Sequence, residues 1–242
     1  MARHVEAAVE IVEAGSGPVV LTCEHASFAL PDGWAWPEAD RWLVGTHWSY
    51  DLGAAEVTME LAATLRCPAV LARFTRMLCD ANREEGDPSL FRDVAEGQTV
   101  RLNLELSEAE KERRLSLYHR PYHAAVARTV AANQGRLVFS IHSFTPVYLG
   151  QTREVEVGIL YDTADDHAHA LAEALRTRGF RVWMNEPYSG KEGLIYSATR
   201  HAGEHQRVAL ELEIRQDLAV DPVWRARMVS AMAAAMAEIG FC

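Results

Sequence analysis

The chain lacks the features of a membrane-embedded or secreted protein. None of its apolar runs approaches the roughly 20 residues that a membrane-spanning helix needs, and residues 1–6 show no signal-peptide pattern. The four cysteines have neither CxxC pairing nor zinc-finger spacing; they are Cys23, Cys67, Cys79 and Cys242. We therefore expect reduced thiols in a cytoplasmic protein without a membrane partner.

Positive charge is also scarce. The 242 residues include 24 Lys and Arg against 34 Asp and Glu, which gives a formal net charge of −10. A surface that binds nucleic acid needs clustered Lys and Arg to contact phosphates, so this composition argues against a nucleic-acid partner. An anionic small molecule remains compatible with it, because a few buried arginines can hold an anion whatever the total charge.

Two common motifs are missing as well. The sequence contains no Gly-rich phosphate loop, and no GxSxG elbow surrounds Ser143, which argues against a serine hydrolase. Apolar residues make up 49% of the chain, enough for a large core. The length suits one domain over residues 1–242. We expect a monomer or a small homo-oligomer.

Short apolar runs alternate with helical patterns along the chain. Strands are predicted at 19–23, 68–72, 137–141, 155–161, 180–183 and 208–214. Helices are predicted at 51–65, 107–133, 164–178 and 221–240. This alternation predicts an α/β fold with three layers, α/β/α, around a mostly parallel mixed sheet.

Three of the predicted strands end in groups that bind metals or transfer protons. They end in Glu24-His25, His142 and Glu213, and ligands gather at the carboxyl ends of strands in α/β sheets. Zinc hydrolases use three His or carboxylate ligands and leave one position for water. We predict His25 and His142 as ligands, with Asp51 or Glu24 as the third.

The third ligand and the general base both have competing interpretations. Adjacent residues on a strand point to opposite faces, so Glu24 and His25 should not both reach one ion without a turn. Asp51 has an alternative role as the cap of the helix that follows it. For the base, alternation places Glu211 and Glu213 on the same face, and the position nearer the strand end favours Glu213.

A basic segment follows the second predicted strand. Arg73, Arg76 and Arg83 lie close together in sequence, and Asn82 precedes the last of them. Arginine grips a carboxylate through two parallel hydrogen bonds, which favours capture of an anionic substrate here. The competing interpretation is a solvated loop with a local salt bridge.

The motifs taken together resemble the N-formylglutamate amidohydrolase family. The matching segments are Cys-Glu-His-Ala-Ser at 23–27 with Pro31, His-Trp-Ser-Tyr-Asp-Leu-Gly-Ala at 47–54, Thr-Arg through Asn-Arg at 75–83, Ile-His-Ser-Phe-Thr-Pro at 141–146, Asn-Glu-Pro-Tyr-Ser at 185–189, and Glu-Leu-Glu-Ile-Arg-Gln-Asp-Leu at 211–218. They follow the family's order over nearly the whole chain.

The resemblance extends to zinc carboxypeptidases and aspartoacylase, and it implies a phosphorylase/hydrolase-like fold with one Zn²⁺ on His25 and His142. The carboxypeptidase pattern puts a Glu three residues after the first His, where this chain has Phe28. Asp51 matches the aspartate of the family and is therefore implied as the third ligand.

The resemblance also implies roles around the substrate. Asn82 and Arg83 match a pair that binds the substrate carboxylate, and Glu213 matches the general base. Arg76 is expected to help stabilise the oxyanion, and Arg215 or Arg76 to hold a side-chain carboxylate. The expected reaction is hydrolysis of an N-acyl amino acid, N-formylglutamate above all, to formate and glutamate. A zinc amidase or peptidase for a different substrate, such as a cell-wall fragment, and a non-catalytic binding protein are the alternatives.

Overall fold

The computed structural model describes residues 1–241, and an eight-stranded mixed sheet forms its centre. The strands of this part of the chain are β1 (Ala2–Val5), β2 (Val9–Glu13), β3 (Val19–Cys23), β4 (Ala69–Ala72), β5 (Val94–Ala95), β6 (Gln98–Thr99), β7 (Leu137–Phe144), β8 (Val147–Tyr148), β9 (Gln151–Thr152), β10 (Val157–Leu160), β11 (Val182–Met184) and β12 (Val208–Arg215). The order in the central sheet is β1-β2-β4-β3-β7-β12-β10-β11, and β5-β6 and β8-β9 form two small ribbons.

Helices connect the strands and cover both faces of the sheet. They are α1 (Ala54–Leu65), α2 (Glu108–Arg114), α3 (Arg120–Ala132), α4 (Asp165–Arg176), α5 (Tyr196–Gly203), α6 (Gln216–Ala219) and α7 (Pro222–Glu238). Short 3₁₀ turns lie at Glu38–Leu43, Arg101–Asn103 and Gly190–Glu192, and a π-helical turn lies at Leu115–His119.

The layers follow from where the apolar side chains lie. Helix α7 packs against both α1 and α4, and the three helices bury their apolar residues on one face of the sheet. Helices α3 and α5 cover the opposite face around Tyr122 and Val126. The pairings β4-β3, β3-β7, β7-β12 and β10-β11 are parallel, and the other three in the central sheet are antiparallel. The predicted three-layer class with a mostly parallel mixed sheet is confirmed.

The centre of the sheet brings the chemically interesting strand ends together. Strands β3, β7 and β12 are neighbours and run parallel, so their carboxyl ends share one edge. All residues of β3 and β7 are buried, as expected of strands covered on both faces. In the register of β7 and β12, Glu213 lies opposite His142.

Helix α1 begins later than predicted, and one glycine explains its start. Gly53 precedes the helix with a φ of +82°, which L-residues rarely adopt. A Cβ atom at this position would lie 2.7 Å from the backbone of Ala219, so a side chain would collide there. The turn at Gly53 brings the loop before α1, which carries Asp51, over the edge of the sheet.

The long helix predicted at 107–133 is interrupted. The hydroxyl of Ser107 accepts a hydrogen bond from the backbone N–H of Glu110 at 3.2 Å and so caps α2. Pro121 has no N–H to donate, and the chain accommodates it with the π-helical turn before α3.

The helices and the cysteines bear on the expectations about membrane insertion and reduced thiols. Within residues 1–241, no helix is both long enough and apolar enough to cross a membrane. Cys23 and Cys79 are buried free thiols, as expected, and burial raises the pKa of both. Cys67 is buried too, and Cys242 lies outside the described residues.

Candidate active site

Two histidines and an aspartate from separate segments meet at the carboxyl edge of the sheet. The Nδ1 atoms of His25 and His142 lie 3.3 and 2.8 Å from Oδ2 of Asp51. All three residues are buried, with exposures of 2% for each histidine and 4% for the aspartate. One ligand atom from each lies within 4.8 Å of the other two, so a single ion can contact all three.

Each imidazole is bonded to a second carboxylate through its other nitrogen. Nε2 of His25 lies 2.7 Å from Oδ1 of Asp80, and Nε2 of His142 lies 3.0 Å from Oε2 of Glu24. A neutral imidazole that donates from Nε2 presents the lone pair of Nδ1 to Asp51. The contact between Nδ1 and Oδ2 therefore needs either a proton on Nδ1 or a cation bound to both atoms. Burial lowers the pKa of His142, but Glu211, Asp51 and Glu24 outweigh burial and raise it well above its usual value, and a bound cation would take the place of that proton.

The donor set therefore fits a zinc ion. Two imidazole nitrogens and one carboxylate oxygen form a usual three-ligand set for a hydrolytic zinc, with a fourth position left for water. Carboxylates bonded to the far nitrogen of a ligating histidine are also typical of such sites, because they fix the tautomer and the ring orientation.

Glu24 lies on the far side of His142 from Asp51. Its carboxylate accepts hydrogen bonds from the hydroxyls of Tyr122 at 2.9 Å and Ser140 at 2.5 Å. Burial alone would raise the pKa of Glu24, but the bonds from His142 and Ser140 outweigh burial and hold that pKa below its usual range. The geometry places Asp51, and not Glu24, against both Nδ1 atoms.

Asp51 does not cap helix α1 with its side chain. Its carboxylate also accepts the backbone N–H of Ser143 at 3.3 Å, and its own N–H donates to the carbonyl of His25 at 3.0 Å. The residue at the cap position is Gly53, which has no side chain to offer. The competing helix-cap interpretation of Asp51 therefore does not describe this structure.

Asp80 is held by Arg76. The guanidinium of Arg76 donates from Nε and Nη2 to Oδ2 of Asp80 at 3.1 and 2.6 Å, and the backbone N–H of Asn82 donates to Oδ1. Burial opposes the charge of Asp80, but Arg76 and His25 keep its pKa well below the usual range. The predicted substrate-binding Arg76 is thus bonded to an acid, although it still lines the cavity above the histidines.

Glu211 and Glu213 face the same cavity from β12, and they differ in what they contact. Oε2 of Glu211 lies 3.3 Å from Nδ2 of Asn82 and 3.5 Å from Nε2 of His142. Oε2 of Glu213 is buried and has no hydrogen-bond partner in the described part of the chain. Burial raises the pKa of Glu211 to about 7 and that of Glu213 well above its usual range.

The amide of Asn82 is occupied by the protein. Its Nδ2 donates to the carbonyl of Leu194 at 3.0 Å, and its Oδ1 accepts the backbone N–H of Ser197, also at 3.0 Å. These bonds tie the loop that carries Asn82 to the start of helix α5. Asn82 lines the cavity, and its backbone carbonyl accepts a hydrogen bond from Nη1 of Arg83 at 2.7 Å.

The other predicted arginines lie in three different places. Arg83 lines the cavity and donates from Nε to Oγ of Ser89 at 3.0 Å. Arg215 is not among the cavity residues, because its guanidinium pairs with Asp217 at 2.8 and 3.1 Å. Arg73 is exposed and donates to the carbonyl of Glu6 at 2.7 Å, away from the site.

Several cavity residues carried no prediction of their own. The cavity has a volume of about 150 Å³. Besides the residues already described, five aromatic or imidazole side chains and one further arginine line it. They are His47, Trp48, Phe144, Tyr148, Tyr188 and Arg92. His47, Trp48, Phe144 and Tyr188 lie inside the quoted motifs, which could have indicated them. Arg92 and Tyr148 lie outside every motif.

Comparisons with known proteins agree with the motifs. The family model described as N-formylglutamate amidohydrolase matches residues 17–220. The crystal structure of gene product Atu2144 from Agrobacterium tumefaciens superposes with a TM-score of 0.87 at 31% identity, covering 97% of this chain and 95% of that one. A search of curated proteins finds no match.

More distant structures also superpose. A metallo-carboxypeptidase from Burkholderia cenocepacia does so with a TM-score of 0.42 at 12% identity, covering 96% of this chain and 60% of that one. An aspartoacylase family protein from Mesorhizobium loti superposes with a TM-score of 0.40 at 11% identity, covering 93% of this chain and 60% of that one.

Proposed function

This chain belongs to the N-formylglutamate amidohydrolase family, and on that premise we propose that it is a zinc-dependent enzyme that hydrolyses the amide bond of an N-acyl amino acid. The proposed substrate is N-formylglutamate, which yields formate and glutamate. The observation that carries the proposal is the pair of Nδ1 atoms facing one carboxylate, backed by a carboxylate on each Nε2.

His25, Asp51 and His142 would hold the zinc ion. When bound, zinc lowers the pKa of a water molecule and polarises the acyl carbonyl. Asp80 and Glu24 keep both imidazoles in the tautomer that presents Nδ1 to the ion.

Glu213 is the proposed general base. Its unpartnered Oε2 takes a proton from the water that attacks the acyl carbon, and it returns that proton to the amine nitrogen as the C–N bond breaks. Burial, Glu211 and Asp51 raise the pKa of this carboxyl, whereas the charges of His142 and Arg76 lower it. A cation held by the nearby ligands would lower it further, toward the ionised form that a base requires. Glu211 is the weaker choice because Asn82 and His142 already contact it.

The arginines of the cavity are assigned to the negative charges of the reaction. Arg83, with Asn82 beside it, holds the α-carboxylate, since arginine offers a planar pair of donors. Arg76 has its Nη1 outside the bond to Asp80, 3.6 Å from Oδ1 of Asp51, and is assigned to the negative charge that develops on the acyl oxygen.

A substrate panel tests this proposal. Zinc-loaded protein is incubated with N-formyl, N-acetyl and N-succinyl forms of glutamate and with short peptides, and release of free amine is measured. We expect turnover of N-formylglutamate and none of the peptides. Hydrolysis of peptides alone would contradict the proposal and indicate a peptidase. If the protein neither turns over any substrate nor binds zinc, a non-catalytic binding protein would be indicated instead.

A further inference from the structure

The three arginines that line the cavity differ in what their guanidinium groups contact. Arg76 is bonded twice to Asp80, and Arg83 donates to Ser89 and to a backbone carbonyl. Within residues 1–241, the Arg92 guanidinium makes no hydrogen bond, and no carboxylate oxygen lies within 4.0 Å of it. Arg92 is therefore the cavity cation whose donors are all available.

The surroundings of Arg92 are held in place by other parts of the chain. Nδ2 of the buried Asn103 donates to the backbone carbonyl of Arg92 at 2.8 Å. The guanidinium carbon lies 5.8 Å from the centre of the Trp48 ring, and Nε1 of Trp48 donates to Glu96 at 3.1 Å. With its backbone carbonyl bonded to Asn103 and its guanidinium near the Trp48 ring, Arg92 lines the cavity.

The charge of Arg92 is poorly compensated. Its half-buried position and the nearby charges of Arg76 and Arg83 lower the pKa of the guanidinium, and Asp80 and Tyr148 offset this only in part. A partly desolvated cation beside two others is unfavourable until an anion joins it. A carboxylate suits this position best, because it accepts two parallel hydrogen bonds from one guanidinium.

We propose that Arg92 determines substrate specificity by binding the side-chain carboxylate of an acidic N-acyl amino acid, while Arg83 holds the α-carboxylate. This inference rests on the proposed function. It replaces the two residues that the sequence suggested for this role, because Arg215 is paired with Asp217 and Arg76 with Asp80.

Paired substrates test the inference. The kcat/KM values for N-formylglutamate and for N-formylmethionine, whose side chain carries no charge, are measured with the wild-type protein, Arg92→Met and the control Arg101→Met, which removes an exposed arginine outside the cavity. We expect Arg92→Met to lower the value for N-formylglutamate about 100-fold, as expected when one partner of a charged pair is removed. The value for N-formylmethionine should change little, and Arg101→Met should resemble wild type. Equal losses on both substrates, or no loss on either, would overturn the role of Arg92.

Binding without turnover separates this inference from the proposed function. Calorimetric titration of the wild-type protein with glutarate and with butyrate compares a dicarboxylate with a monocarboxylate. We expect tighter binding of glutarate, and loss of that preference in Arg92→Met. If no N-acyl amino acid is hydrolysed but this preference is found, the proposed function fails and the anion site stands. Equal affinity of the wild-type protein for glutarate and butyrate would contradict a second carboxylate site at Arg92. This comparison needs only the wild-type protein, so it holds even if Arg92→Met does not fold.

Discussion

At the scale of single residues, each of the two site histidines lies between two carboxylates, which contact both of its ring nitrogens. Sequence reasoning predicted that His25 and His142 would meet, since strand ends share an edge in a parallel sheet. It gave no role to Asp80 and considered Glu24 only as a ligand. Asp80 lies 55 residues from His25 in sequence, and Glu24 lies 118 residues from His142. Only the folded chain shows which ring nitrogen each carboxylate contacts.

Glu213→Gln should remove the proton acceptor while leaving the metal ligands intact. We expect kcat to fall by about 100- to 10,000-fold, the usual contribution of a general base. Metal analysis should find the same zinc content as in wild type. The matched variant Glu211→Gln should retain more activity, and wild-type turnover in Glu213→Gln would remove Glu213 as the base.

Asp80→Asn should weaken zinc binding without removing a ligand. The change takes away the charge that orients His25 and that pairs with Arg76, so we expect zinc affinity to fall about 10- to 100-fold. Competition with a fluorescent chelator measures that affinity. Asp162→Asn, at an exposed aspartate outside the site cavity, is the control. An unchanged zinc affinity in Asp80→Asn would show that this carboxylate does not support His25.

At the scale of elements, buried strands were the easiest to predict and exposed ones the hardest. The bounds of β3 match the prediction because its residues form a continuous apolar run. Strand β1 is exposed along its length and has no such run, so it was missed, as were β2 and α5. Strand β7 continues to Phe144, which places His142 inside the strand instead of after it.

The start of α7 offers a test of element stability. The carboxylate of Asp221 accepts the backbone N–H groups of Val223 at 2.8 Å and Trp224 at 3.2 Å. Asp221→Ala should lower the free energy of unfolding by about 1 kcal/mol, the typical loss for an N-cap, as measured by urea denaturation. Asp221→Ser, which keeps a capping oxygen, should lose less. Equal stability of all three proteins would mean that this cap does not stabilise the helix.

At the scale of the whole molecule, the sheet order explains why distant motifs act together. Strands β3, β7 and β12 are adjacent, and they carry the first histidine, the second histidine and the proposed base to one edge. The net charge of −10 gave no sign of the three arginines that share the cavity. Composition averages over the surface, whereas a binding site depends on a few charges that folding brings together.

A buried histidine cluster should make the fold sensitive to acid. Nδ1 of His123 lies 2.9 Å from Nε2 of His201, and the rings of His119 and His123 are 4.4 Å apart. Burial lowers the pKa of His201 to about 4 and that of the other two below the usual value. The unfolded chain therefore binds more protons, and stability should fall as the pH drops from about 6.5 to about 4.

The variant His201→Gln tests that direction. Its free energy of unfolding should decline less than that of wild type across this pH range, because one histidine no longer gains a proton on unfolding. The control His167→Gln, at an exposed histidine, should follow wild type. Identical slopes for all three proteins, measured by urea denaturation at several pH values, would contradict a role for the cluster.

The most direct test of the account is the number of zinc ions that the protein binds. Equilibrium dialysis followed by metal analysis should give one zinc per chain for the wild-type protein and none for the folded double variant His25→Ala/His142→Ala. A wild-type protein that binds no zinc, or a double variant that still binds one, would contradict a metal centre built on His25, Asp51 and His142.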